Sequence, residues 1–247
     1  MRSLALALSC GLSLCALSSL SLAAPAPAVQ PNGRLQFTAG LGLGHDEDPE
    51  RSGLGVNLEM AYGLGSGTEI GVRTGVRSPD GRALGADAFG RLFDFETFGT
   101  AGQTFANPEL RLRKAVLPVL ALEARLYVPF DSPFGFMLAA PVWFSGGRSV
   151  RLNTGVYVPI LFSEPTRSWV SLPAHLWFHA GGGWYLGVLG GARLDTQAGD
   201  WAIPLGVGFD RTLSTVADLL LSFVLPDVTR DDAANTFGAG LALRIRI

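Results

Sequence analysis

Charged side chains recur at every second position along several stretches of this chain, and that spacing limits the chemistry they can do. Glu59, Glu69, Arg73, Arg77, Glu109, Arg111, Arg113, Glu123, Arg125, Arg151 and Arg244 all fall on the parity opposite to runs of Leu, Val and Ile. In an extended strand, positions i and i+2 share a face, so these groups line one polar surface. Burying so many charges is costly unless they pair with one another or stay hydrated. Arg and Glu on a wet inner wall can select solutes by charge, or they can brace the wall by pairing. Both readings stand, because the segments 69–77, 109–113 and 123–125 carry both signs close together.

His175 and His179 join the same polar face. At a rise of about 3.3 Å per residue they lie roughly 13 Å apart, too far to hold one metal ion jointly. Ser171 shares their parity, but four positions along one strand is also too far for a nucleophile and its base. Hydrolysis of a lipid ester would need geometry across strands, so an enzyme is the weaker expectation. Both cysteines, Cys10 and Cys15, sit in the first 28 residues. The rest of the chain therefore has no thiol for a metal site or a disulfide. No cofactor or metal is expected, and a net charge of -2 gives no general nucleic-acid partner.

The elements that position these groups are strands. The closing stretch places Phe237, Ala239, Leu241, Leu243, Ile245 and Ile247 on one parity, with Thr236, Gly238, Gly240, Ala242, Arg244 and Arg246 on the other. Alternation of this kind begins after the leader and recurs to the last residue. Apolar outward and polar inward is the pattern of a transmembrane barrel. The leader itself, residues 1–28, has a basic start, a Leu/Ala/Ser core and the small-residue exit Ala26-Pro27-Ala28. It reads as a removable secretory signal, leaving residues 29–247 as one barrel. The pattern predicts about twelve strands: 34–44, 53–64, 68–78, 107–116, 119–130, 134–144, 149–162, 169–179, 184–193, 201–211, 218–225 and 236–247. Ten or fourteen are the neighbouring even counts, because the connection 79–106 is long enough to hide a hairpin. Short Gly, Pro and Ser turns alternate with longer, more charged connections, which puts both termini on the periplasmic side.

The aromatics sort with this topology. Tyr62, Trp143, Phe144, Phe178, Trp184 and Phe209 fall at one set of strand ends, and Phe130, Phe134, Phe162, Trp169, Trp201, Phe223 and Phe237 at the other. Two interfacial belts are expected of a lipid-facing barrel. The connection 79–106 also holds Phe89, Phe93, Phe95, Phe98 and Phe105. It reads as a constriction or capture segment at the mouth, or as a loop packed on its neighbours.

Three stretches carry a resemblance: Asn107-Pro108-Glu109-Leu110-Arg111-Leu112-Arg113, then 122–130 (LEARLYVPF), then 150–160 (VRLNTGVYVPI). They resemble channel-like outer-membrane proteins of the phenol meta-degradation group, over roughly a quarter of the chain. Ala106-Asn107-Pro108 stands where that group usually has Gly-Asp or Gly-Asp-Pro. The resemblance implies a passive channel or transporter for small solutes and brings no catalytic residue. A surface-interaction barrel with a plugged lumen is the alternative, and a lipid hydrolase the third. Expected partners are outer-membrane lipid and lipopolysaccharide, the barrel-assembly machinery and small solutes.

Overall fold

The computed structural model describes residues 29–47, 50–77, 105–128, 134–147, 149–162, 164–231 and 233–247. Its strands are β1 (Leu35–Glu47), β2 (Glu50–Gly65), β3 (Thr68–Arg77), β4 (Phe105–Leu117), β5 (Leu120–Tyr127), β6 (Gly135–Gly146) and β7 (Val150–Leu161). They continue as β8 (Arg167–Gly181), β9 (Trp184–Asp195), β10 (Trp201–Ala202), β11 (Leu205–Thr212), β12 (Ala217–Leu225) and β13 (Thr236–Arg246). Neighbours pair antiparallel, and β13 pairs back with β1 from Gln36↔Arg246 to Asp46↔Thr236, so the sheet closes. At the seam Leu35 and Ile247 exchange hydrogen bonds of 2.9 and 2.8 Å. Closure leaves no bare strand edge, the condition for backbone to cross a bilayer.

The ring has twelve staves, because β10 and β11 are parts of one. Both pair with β9 and they are separated only by Ile203 and Pro204. Pro204 has no N–H to give the ladder. The Ile203 amide turns instead to Asp227 Oδ1 (3.1 Å), and its carbonyl accepts from the Val228 amide (2.8 Å). The connection after β12 thus stitches the broken stave.

β3 pairs directly with β4, from Thr68↔Lys114 to Val76↔Phe105. With that pairing the described strands already close the ring, so the count is twelve and not fourteen. Phe89, Phe93, Phe95 and Phe98 lie outside the described residues, and so does the leader. Strand limits differ from the sequence reading by a few residues. β2 starts three residues earlier and β8 gains residues at both ends, because ladder hydrogen bonding continues past the point where hydrophobic alternation stops.

We call the end where Leu35 meets Ile247 the near end. Its turns are short: Ser66-Gly67, Pro118-Val119, the turn at Gly147, Gly182-Gly183, and Leu213–Val216. Ser66 and Gly67 have φ of 51° and 68°, the left-handed pair that a tight hairpin with the native strand twist requires.

Outward positions are apolar and exposed all round the ring, among them Leu41, Leu58, Ile70, Leu112, Leu122, Leu138, Val156, Leu172, Val188, Val207, Leu221 and Leu243. Tyr62, Phe144, Phe178, Trp184 and Phe209 form the near belt, and Phe134, Phe162, Trp201 and Phe223 the far belt. Trp143 and Trp169 correct the sequence reading. Trp143 pairs with inward Asn153 and lies under the Arg113 guanidinium, 5.5 Å from carbon to ring centre. Trp169 is buried with Tyr127, Met137, Ala139 and Leu161. Both indoles therefore face the lumen. The sequence does not show this, because β6 and the start of β8 carry apolar side chains on both parities, so a tryptophan near a strand end fits either the belt or the lumen.

Candidate functional site

The inward faces of β2 to β5 carry one continuous ladder of ion pairs. Glu59 Oε1 meets Arg111 Nη1 at 2.9 Å, and Arg111 Nη2 meets Glu69 Oε1 at 2.9 Å. Glu69 Oε1 lies 3.8 Å from Arg113 Nη1. Arg113 donates through Nε and Nη2 to Glu123, and Arg125 Nε donates to the other oxygen of Glu123. Arg125 Nη1 then reaches Glu109 Oε1 at 3.5 Å, and Glu109 Oε2 pairs with Arg73 Nη2 at 2.8 Å. Glu and Arg alternate along the whole path, so four carboxylates meet four guanidiniums and the formal charges cancel.

Register explains the ladder. Glu59 is opposite Arg73, Arg73 opposite Glu109, Glu69 opposite Arg113, and Arg113 opposite Glu123. Cross-strand neighbours on one face sit about 5 Å apart, within reach of Arg and Glu. The side chains are largely buried, with Glu69 and Glu109 1% exposed. Charges removed from water to this extent are tolerable only in such a network. Residues ahead of β1 join it: the Gln30 amide donates to Glu69 Oε2 (2.8 Å), and Gln30 Nε2 donates to Gln36 Oε1 (3.0 Å).

Arg244 belongs to a separate group. Its Nη1 lies 3.6 Å from Asp218 Oδ2 and 4.0 Å from Asp210 Oδ2, and Arg246 donates to Asp218. Arg151 holds its guanidinium over the Tyr185 ring at 5.7 Å, and His179 packs on the same ring at 4.9 Å. His175 is buried on the inward face of β8, and Ser171 Oγ makes no hydrogen bond, so Ser171 and His175 form no nucleophile–base pair. Arg77 lies in β3 opposite Gly55, and its side chain is outside what is described. Among the described residues no group of His, Cys, Asp and Glu is placed to hold a metal ion.

The inner wall is less polar than the sequence suggested. Met137, Trp177, Tyr185, Leu189 and Val224 are buried on the inward face. Inward glycines make room for them: a Cβ on Gly187 or Gly208 would come within 2.7 or 2.6 Å of the Trp177 ring. Asp218 was also missed, although its parity with Ser222 marked it as inward; the run Leu219-Leu220-Leu221 hid the alternation.

No protein-family model matches the chain, and no curated protein does. Among solved structures it is similar to an outer-membrane channel from Pseudomonas putida F1. The TM-score is 0.58 at 11% identity, covering 89% of this chain and 97% of that one. The NanC porin gives 0.57 at 5% identity, covering 86% and 100%. The chain has the fold of a porin-like outer-membrane β-barrel. A KdgM porin in complex with disordered oligogalacturonate gives 0.54 at 8% identity, covering 86% and 98%. An apolar circumference between two aromatic belts is what this fold presents to lipid, and here it surrounds a charged and aromatic interior.

Proposed function

We propose that the chain is a passive channel of the bacterial outer membrane for small polar solutes. Both termini are periplasmic in this reading, and residues 1–28 are removed as the secretory signal. The observation that carries it is a closed twelve-stave ring with apolar side chains outward and a paired, largely buried Arg/Glu/Asp lining inward. An interior this rich in ionisable groups serves contact with water and solutes better than a barrel meant only as a membrane anchor. Lipopolysaccharide at the far belt and the barrel-assembly machinery are its expected partners. The motifs at 107–113, 122–130 and 150–160 favour a relation to channels of the phenol meta-degradation group.

The neutral ladder alters the selectivity expected of such a channel. Arg73, Arg111 and Arg125 are each matched by a carboxylate, so they supply little net field for anions. Weak anion preference, carried by Arg151 and its neighbours, is the expected behaviour. A plugged barrel is the second reading, favoured by the full burial of Met137 and Leu189 on the inward face. Liposome swelling with a graded set of neutral sugars and organic acids decides between them. Swelling that falls with solute size supports the channel, and liposomes that stay osmotically tight to the smallest solutes support the plug.

A further inference from the structure

The chain does not run straight into β1. The Pro31 carbonyl accepts from the Arg34 amide (3.0 Å), which closes a β-turn with Asn32 and Gly33 at its centre. Gly33 has φ of 72°, the positive value that the second central residue of such a turn takes. The turn reverses the chain, so the residues ahead of it double back into the barrel. Pro31, Asn32, Gly33 and Arg34 are exposed at the near rim, whereas Val29 is half-buried and Gln30 only 4% exposed. Gln30 is held there twice. Its amide donates to Glu69 Oε2 (2.8 Å), and its Nε2 donates to Gln36 Oε1 (3.0 Å). The wall is shaped to take this segment. A Cβ on Gly63, an inward position of β2, would stand 2.0 Å from the Pro31 carbonyl oxygen and 2.6 Å from that of Gln30. The Gly33 amide and the Arg34 carbonyl add hydrogen bonds to Gly63 of 2.9 and 3.0 Å. Chain ahead of a first strand ordinarily frays unless it is tied down, and here it is tied.

Glu69 joins the segment to the ion-pair ladder. Its Oε1 serves Arg111 and Arg113, at 2.9 and 3.8 Å, and its Oε2 takes the Gln30 amide. Through Gln36, Gly63 and Glu69 the segment lies against the inner faces of β1, β2 and β3 at their near ends. Chain held inside one mouth of a barrel takes cross-section from whatever passes there. We propose that residues 29–33 are an inner strap that narrows the near mouth, with Glu69 as its latch. That mouth is the periplasmic one in the channel reading, and the inference rests on that reading in one respect, that solutes pass through it. Releasing the strap breaks the hydrogen bonds of Gln30 but none of the pairs that close the ring, which begin at Leu35 and Gln36. A tethered end of this kind opens locally while the sheet stays whole.

Residues 29–247 contain no cysteine, so one introduced thiol reports one place. Q30C keeps the backbone hydrogen bond to Glu69, and S214C, in an exposed near-end turn, gives the rate of an open thiol. The test is labelling of the refolded barrel in micelles by a charged maleimide, with single-channel recording of the same barrel lacking the cysteine. Q30C should react at least roughly tenfold slower than S214C, because labelling follows the released fraction. G63A removes no charge and pushes on the Pro31 carbonyl; it should speed Q30C labelling by roughly tenfold and raise the conductance. E69Q should also speed labelling, and a silent E69Q overturns Glu69 as the latch. Should G63A not fold, residues 33–247, which lack the strap, carry the conductance test instead. Equal rates at Q30C and S214C overturn the strap. So does a barrel that conducts no better once the strap is displaced or removed, which leaves the channel standing. Barrels that never conduct, with Q30C shielded in the parent and reactive in G63A, overturn the channel and leave the strap as a fitted closure.

Discussion

Within the ladder, Glu69, Glu109 and Glu123 each bridge two guanidiniums. Removing one such carboxylate takes a partner from two buried cations and leaves the ladder with one uncompensated positive charge. Glu69→Ala should therefore destabilise the barrel by about 3–5 kcal/mol, read by urea unfolding in micelles. A loss under about 1 kcal/mol would mean that these groups stay hydrated and unpaired in the folded state. Packing on the opposite wall can be probed in the same way. Gly187→Ala pushes a methyl into the Trp177 ring and should cost about 1–3 kcal/mol, whereas a neutral outcome would place the indole elsewhere. The charged part of this lining was legible in the sequence because strong alternation on β2 to β5 fixes the face of every Arg and Glu. The aromatic part was not, since β6 offers apolar side chains on both faces and parity then carries no information.

Elements, too, make separate claims. β13 closes the ring, and Leu243 is exposed on its outer face while Ala242 is buried on the inner one. Leu243→Arg should cost roughly 2–4 kcal/mol near the bilayer midplane, against little effect of Ala242→Ser. Heat-modifiable gel mobility reports both, and equal effects would reverse the assignment of faces. The connection after β12 is clamped by Asp227, whose Oδ1 accepts from the Ile203 amide, the Thr229 amide and the Thr229 hydroxyl. Partial burial works to raise its pKa, but these hydrogen bonds outweigh that and leave it below the ordinary carboxylate value. With the folded pKa depressed, the clamp is complete above about pH 4 and fades as pH falls through the lower folded value. Asp227→Ala should speed tryptic cleavage after Arg230 at neutral pH; unchanged cleavage would show that the stitch to the broken stave does not depend on the carboxylate. That break at Ile203–Pro204 was invisible as a discontinuity in the alternation, since Trp201, Ile203, Leu205, Val207 and Phe209 keep one parity straight through it.

For the whole molecule, fold class and stave number followed from a period-two pattern that only a closed, lipid-facing sheet explains over so much chain. Which inward charges meet, and that they cancel, depended on register, and a sequence does not state register. Since β3 pairs with β4 without help from the segment between them, deleting residues 82–102 should leave a barrel that still assembles. The phenylalanines of that segment would then reveal themselves by a change in conductance or in uptake of an apolar solute. Most direct of all is single-channel recording of residues 29–247 in planar bilayers, with a salt gradient to read ion preference. Discrete conductance steps with weak anion preference, largely unmoved by neutralising Arg111 together with Glu59, are expected of a narrow pore lined by a self-neutralised ladder. A correctly inserted barrel that shows no steps at all would contradict the channel.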